Sequence, residues 1–517
     1  MSQSSQQADI CLILEGAYPF VSGGVSSWMH DMIKGQPDLT FHLVALTPER
    51  EQPELRYELP ENVIGFDVTP LQLRSSGGRR MRKLDRLFEA LEDPLSRLLS
   101  RGELSDLAEV MAILKQEKGE LGTAQLLDSE AAWRLTERLY VKLLPGASFL
   151  DFFWSWRALM GGLFQMLLTP LPQARAYHTI STGYAGLLAA RARIETNRPA
   201  ILTEHGIYTN ERRIEIAMAD WLHERAPTGF SLKRAKRDLR EFWIDAFRSY
   251  ARVAYQAIDP IVTLYTGNQI MQRRDGAPES ALRVIPNGVD YGRFSRIERD
   301  QAARPPQIAL IGRVVPIKDV KTYIRAAAVL KQRFPDLVAY VMGPDEEDPV
   351  YAKECRTLAA HLGVSDTVQF TGSVKLDDYL GQLDAIALTS LSEAQPLVVL
   401  EAGAAGVPSV TTDVGCCREL IFGQASEDPP FGAGGAVTAG ADPEATANAL
   451  GAILADPARR TAMGKAMQQR VKASYDKPDI LAVYNELYWN AARAPDLGTV
   501  QTTSDAPAQR PQIEEAA

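Results

Sequence analysis

The sequence predicts an α/β protein of two doubly wound domains, each a parallel sheet with helices on both faces. Three observations carry this. The chain has 517 residues, too many for one ordinary core. Short apolar runs of strand length recur between helical patterns in both halves, and strands alternating with helices make parallel sheets. A turn-rich and then polar stretch, PNGVDYGRFSRIERDQAARPP (286–306), stands between the halves as a linker.

In the first half, ICLIL (10–14) is the opening strand, followed by a glycine-bearing loop and a helical pattern. FHLVAL (41–46) is the next strand. Residues 70–145 are charged and leucine-periodic, as in LDRLFEALEDPLSRLLSRGELSDLAEV, which predicts a helical insertion. Strands resume at YHTIS (177–181), AILTE (200–204) and IVTLY (261–265). After the linker come QIALIG (307–312), VAYVMG (338–343), TVQFTG (367–372), DAIALTS (384–390) and PSVTT (408–412). The expected domains are 1–290 and 300–475. A helical segment at 476–494 is expected to cross back to the first domain, and the polar tail 495–517 to be disordered.

Composition excludes several classes. The chain is 45% hydrophobic and 23% charged, as globular proteins are, and its net charge of −9 argues against a nucleic-acid partner. Cys11, Cys355, Cys416 and Cys417 lack zinc-ligand spacing and suit a reduced, cytoplasmic setting. MSQSSQQADI lacks the basic-then-apolar pattern of a signal peptide. FLDFFWSWRALMGGLFQMLLTPLP (149–172) is apolar and aromatic, but Asp151 and Arg157 interrupt it, so a buried or partner-facing helix is expected rather than a span. LRSSGGRRMRKLDRL (73–87) is locally basic, which suits a solvated face or contact with anionic lipid.

Ligands of open parallel sheets bind beyond the carboxyl ends of the strands, so two facing domains would form a cleft lined by loops that follow strands. One such loop is SEAQPLVVLEAGAAGVPSV (392–410). Glu393 falls in the loop after DAIALTS. Pro396 fits the first helical position, where a missing N–H is harmless. The free amides of Leu397 and Val398 then suit an anion at the helix start, and Glu401 lies over one turn further on. The two carboxylates can hold sugar hydroxyls on either side of that anion.

Glu393-x7-Glu401, with the continuation EAGAAGVPSVTTDVGCCREL, resembles the donor-site signature of retaining glycosyltransferases of family 4 with the GT-B fold. Other segments extend the resemblance. In IALIGRVVPIKDV (308–320) it implies that Arg313 and Lys318 meet the donor diphosphate, where two fixed cations stabilise a leaving group that gains charge. In LEGAYPFVSGGVSSWMHDMI (14–33) it implies that the Gly23–Gly24 loop approaches the donor. In AILTEHGIYTNERR (200–213) it places His205 at the donor hexose, with Tyr208, Glu211 and Arg212 toward the acceptor. In VIPNGVD (284–290) it implies a tight turn at Asn287 and Gly288 that closes the first domain and touches the donor.

EGAYPFVSGGVSSW, TEHGIYTNER and the helical insertion together look like the PelF-type glycosyltransferases of bacterial Pel exopolysaccharide synthesis. That resemblance implies a UDP-sugar donor carrying a hexose or N-acetylhexosamine, a polysaccharide acceptor and a membrane-associated export complex as partner. The chain has no D-x-D that would hold a metal–diphosphate pair, so no metal or other cofactor is expected. PDEEDP (344–349) is expected to be a solvated loop. Two alternatives share these features: a non-catalytic nucleotide-sugar-binding scaffold, and a GT-B epimerase or phosphorylase.

Overall fold

The computed structural model describes residues 7–48, 53–73, 84–116, 121–218, 238–300, 304–424 and 427–498. Most of the basic run (74–83) and the tail from 499 lie outside them. The chain divides into two compact units. One comprises the residues up to Val262, Ile270–Arg283 and the chain from Leu487; the other comprises Thr263–Gln269 and Val284–Glu486.

The first sheet has strands β1 (Ala8–Glu15), β2 (Phe41–Thr47), β3 (Val63–Pro70), β4 (Ala174–Thr179), β5 (Ala200–Glu204), β6 (Ile261–Thr263) and β7 (Leu282–Val284). Their order is β3-β2-β1-β4-β5-β6-β7, and neighbours from β3 to β5 are parallel. β1 is buried along nearly its whole length, which is why it reads as an unbroken apolar run. β3 escaped sequence reading because it is an edge strand with a mostly uncovered, Gly- and Asp-bearing sequence, VIGFDVTP.

Among the described residues, five helices stand between β3 and β4: Leu84–Leu98, Leu104–Gln116, Thr123–Leu126, Glu130–Leu143 and Phe149–Leu168. The insertion thus runs past 145, to Leu168. The aromatic helix Phe149–Leu168 belongs to the core: Phe152, Leu159, Met160, Leu163 and Phe164 are almost fully buried. Each such side chain contributes about 1.5–3 kcal/mol through burial. Arg191 seals the helix's end by donating to the carbonyls of Met166 (2.6 Å) and Thr169 (2.8 Å). Among the described residues, no helix is long and apolar enough to cross a membrane.

The second sheet has strands β8 (Gln307–Ile311), β9 (Val338–Met342), β10 (Val368–Gly372), β11 (Ala385–Leu388), β12 (Ser409–Thr412) and β13 (Gly435–Thr438), in the order β10-β9-β8-β11-β12-β13, all parallel. β13 (GAVT) is too short and glycine-led to show in the sequence. Buried Arg470 donates to Glu427 and to the carbonyls of Leu420, Ile421 and Gly432, so its charge is paired and hydrogen-bonded as burial requires.

The helix Lys477–Arg493 belongs to both units. It begins beside the Val289–Asp476 bridge of the second, while Tyr488 bonds His178 (2.8 Å) in the first. One expectation fails here. Asn287 and Gly288 carry no assigned turn, and the segment counts with the second unit. Gly288 is needed there because a Cβ would lie 2.7 Å from the Lys477 backbone.

Candidate active site

Both sheets reverse their strand order once, between β1 and β4 in the first and between β8 and β11 in the second. In open α/β sheets, ligands bind outside the carboxyl ends of the strands at such a point. Most of the predicted residues follow β1, β8 and β11, beside these two places; His205 follows β5 and Asn287 follows β7.

In the second unit, the loops leaving β8 and β11 are stitched together. Leu391 N donates to Ile317 O (2.8 Å), and Thr389 Oγ1 donates to the carbonyls of Lys318 (3.0 Å) and Asp319 (2.9 Å). Gly343, after β9, has φ +150°, and a Cβ would sit 2.1 Å from Gly312 O, so only glycine lets the loops after β8 and β9 touch. Lys318 ends a short 3-10 turn, Pro316–Lys318, and Asp319 then caps the helix Val320–Lys331. This architecture brings Lys318 Nζ to 2.5 Å from Glu393 Oε1. The same oxygen accepts from Ser390 Oγ at 2.6 Å. Lys318 and Glu393 are mostly buried; Arg313 is half-exposed and holds Glu347 through both carboxylate oxygens, at 2.6 and 2.7 Å. The loop PDEEDP is solvated as expected, with Glu346 and Glu347 exposed. Its carboxylates also pair: Glu347 neutralises Arg313, and Asp345 meets Arg356 (2.5 Å).

The helix after this loop is Leu397–Ala404, with Pro396 as its N-cap at ψ 109°. Pro396 therefore stands just outside the helix and not at its first position. Leu397 and Val398 are the first two helical residues, and their amides lack helical partners for the reason expected. Gln395 is buried, and its Oε1 accepts from Asn287 N at 2.6 Å. That bond carries Asn287 to the helix start, where its own Oδ1 is buried without a partner among the described residues. Cys416 N pins the loop from the other side by donating to Ala394 O (2.9 Å). Burial holds the Glu401 carboxyl above its ordinary pKa, against the opposing pull of Arg293 and Lys477.

In the first unit, Gly23 and Gly24 open the helix Gly24–Lys34, and nothing stands within 4 Å of a Cβ at either. One turn on, Trp28 meets the His205 ring edge-on at 4.5 Å, which brings this helix beside His205. His205 Nε2 is enclosed without a hydrogen-bond partner among the described residues, and burial pushes the ring pKa down to about 4. It is neutral at pH 7. Beside it, Glu204 is fully buried, and burial pushes its carboxyl up to about 7. Tyr255 (2.7 Å) and Gln272 (2.8 Å) donate to it.

Glu15, at the end of β1, accepts from Ala185 N (3.0 Å) at the start of the helix Tyr184–Thr196 and from Tyr208 OH (3.0 Å). Arg212 lies 5.0 Å above the Tyr208 ring. Glu15, Glu204, Gln395 and Glu347 were missed in the sequence. A strand-end position marks the first two, but nothing local tells a strand-end carboxylate from an ordinary one. Among the described residues, no group of three or more His, Cys, Asp or Glu is arranged to hold a metal ion.

Comparison with known proteins adds the following. Residues 8–280 match the family described as a domain of unknown function, DUF3492, and residues 294–470 match glycosyl transferases group 1. A D-inositol 3-phosphate glycosyltransferase of Salinispora tropica is 32% identical over 244 residues, covering 42% of this chain and 48% of that protein. A GDP-mannose-dependent alpha-(1-6)-phosphatidylinositol monomannoside mannosyltransferase of Mycolicibacterium smegmatis is 31% identical over 208 residues, 37% of this chain and 51% of that one. The chain thus spans about half the length of the curated relatives it matches. The solved structure of Anabaena Alr3699/HepE in complex with UDP covers 93% of this chain and 99% of its own at a TM-score of 0.58 and 16% identity, a likeness of fold. The carboxy-terminal part matches the glycosyl transferases group 1 model and the whole has the GT-B fold, and through residues 8–280 the chain belongs to the DUF3492 family.

Proposed function

We propose that the protein is a retaining glycosyltransferase of family 4 that moves a hexose or N-acetylhexosamine from a UDP-sugar to a growing bacterial exopolysaccharide of the Pel type. It works in the cytoplasm and passes its product to a membrane-associated export complex. The observation that supports this most is the Lys318–Glu393 pair at 2.5 Å, at the strand-order reversal of the second sheet and beside the start of the helix Leu397–Ala404. A nucleoside diphosphate gains charge as the glycosidic bond breaks. Lys318, Arg313 and the amides of Leu397 and Val398 are the groups that would oppose that charge, with no metal required. Glu393 would then act beside the transferred sugar, and Glu401 on the ribose.

UDP is preferred because the similarly folded Anabaena protein was solved with it. GDP-mannose is the second reading, favoured by the name of the mycobacterial relative. A panel of UDP-, GDP- and ADP-sugars tests both, with thermal shift for binding and nucleoside diphosphate release for turnover. The expected result is UDP-sugar turnover that survives excess EDTA. Turnover with GDP-mannose alone would overturn the donor assignment. Loss on chelation with rescue by Mg²⁺ would overturn the metal-free mechanism, and binding without turnover would make the chain a scaffold.

A further inference from the structure

A groove of about 810 Å³ lies beside the last turns of the helix Gly24–Lys34 of the first unit. His30, Lys34, Arg56, Tyr57, Glu58 and Glu61 line it. Its wall is fixed. Asn62 Nδ2 ties the groove's floor to the carbonyls of Ile33 (2.9 Å), Gln36 (2.9 Å) and Leu39 (3.2 Å). Arg56 N donates to Pro19 O at 2.9 Å, which attaches the groove's other side to the loop that carries Gly23 and Gly24.

The Tyr57 ring is a braced platform. Its centroid lies 5.2 Å from the buried Tyr18 ring and 5.2 Å from His30, and Tyr18 OH meets His30 Nδ1 at 3.2 Å. Around it, Lys34, Arg56, Glu58 and Glu61 form no salt bridge among the described residues, so hydrogen-bonding groups of both signs are available and their charges cancel. A half-exposed aromatic face with donors and acceptors beside it suits sugar rings, which offer C–H faces and hydroxyl edges. Balanced charge suits a neutral chain over a polyanion or a polycation. A volume of about 810 Å³ gives room for more than one sugar ring.

We propose that this groove is a saccharide subsite, which holds neutral sugar units of the polymer behind the end being extended. The proposal rests on the polysaccharide-acceptor reading above. It predicts affinity for oligosaccharides that is independent of the nucleotide.

The test is calorimetry on the full chain with chitohexaose and with maltohexaose, and separately with UDP. At least one hexasaccharide should bind, and Tyr57→Ala should weaken it about ten-fold. Because Tyr57 packs on Tyr18, the double variant Glu58→Gln/Glu61→Gln, which changes two exposed side chains only, provides a second measure and should also weaken binding. UDP affinity should be unchanged in both. If UDP binds but no hexasaccharide does, or the variants bind it as wild type does, the subsite is wrong while the donor reading stands. If a hexasaccharide binds through Tyr57 and UDP does not bind, the donor reading fails and the subsite survives. Tighter binding of hexagalacturonate or of the fully deacetylated glucosamine hexamer would overturn the neutral-chain assignment.

Discussion

The two sheets reverse their strand order in the same way, yet the strand-end side chains near the two reversals differ in electrical state. In the second unit the groups are ions in pairs: Lys318 with Glu393, and Arg313 with Glu347. In the first they are enclosed, with Glu204 pushed up to about 7 and His205 down to about 4. Solvent and partners stabilise charge in one place, and burial opposes it in the other. A doubly wound sheet therefore fixes where a ligand site forms, while the depth of the strand-end residues decides whether it offers charge or neutral hydrogen bonds. The cations of such pairs suit a diphosphate. A neutral imidazole with a free nitrogen suits a sugar hydroxyl.

The largest expected effect breaks the charged side of this contrast. Lys318→Ala should lower turnover by about 10²–10³-fold, the usual result of losing one fixed electrostatic stabiliser. Arg313→Ala should lower it less, since Arg313 is 53% exposed against 20% for Lys318. Nucleoside diphosphate release and thermal melts on both variants check this; near-normal turnover in both would remove the diphosphate assignment.

Next comes the buried side. The folded pKa of Glu204 lies above its ordinary value, so the folded state binds more protons between about 4.5 and 7 and stability falls as pH rises through that window. Glu204→Gln removes that loss. Relative to wild type the variant should gain stability from pH 5 to pH 8, by up to about 3 kcal/mol. His178, pushed down to about 3, and His205 act oppositely, adding stability as pH rises toward 6.5, so only the difference between variant and wild type isolates Glu204. Denaturant melts across pH measure it, and a difference that stays flat with pH would mean that Glu204 is ionised in the folded protein.

A smaller effect separates the two glutamates of the second unit. Glu401→Gln should weaken UDP binding by about ten-fold, as for lost hydrogen bonds to a ribose that is present throughout the reaction. Glu393→Gln should lower kcat more than UDP affinity, because it sits beside the bond that breaks and holds Lys318. Calorimetry with UDP beside steady-state kinetics distinguishes them, and the reverse pattern would exchange the roles.

The smallest effect concerns Arg313 alone. Glu347 occupies its guanidinium, and a diphosphate would have to displace that carboxylate. Exposed pairs contribute only about 0.2–1 kcal/mol, so Glu347→Gln should tighten UDP binding by at most about five-fold. Weaker binding would show that Glu347 orients Arg313 instead of competing for it.

How far the sequence reached differs between the same two regions. Its strand runs and spacing determined the parallel α/β class, ten of the strands, and the placement of Arg313, Lys318, Glu393 and Leu397 after strand ends, because a buried parallel strand is an unbroken apolar run and a loop after it has few residues to choose from. Local pattern could not show the edge strand β3, whose residues are mostly uncovered, nor β13, which is four residues long. Only the tertiary structure decided which carboxylates meet which cations. Glu347 reaches Arg313 across 34 positions and Glu393 reaches Lys318 across 75. It alone buried Glu204 beneath Tyr255 and Gln272, 51 and 68 positions away. Burial and pairing depend on what distant segments bring, and a side chain's ionisation follows from both.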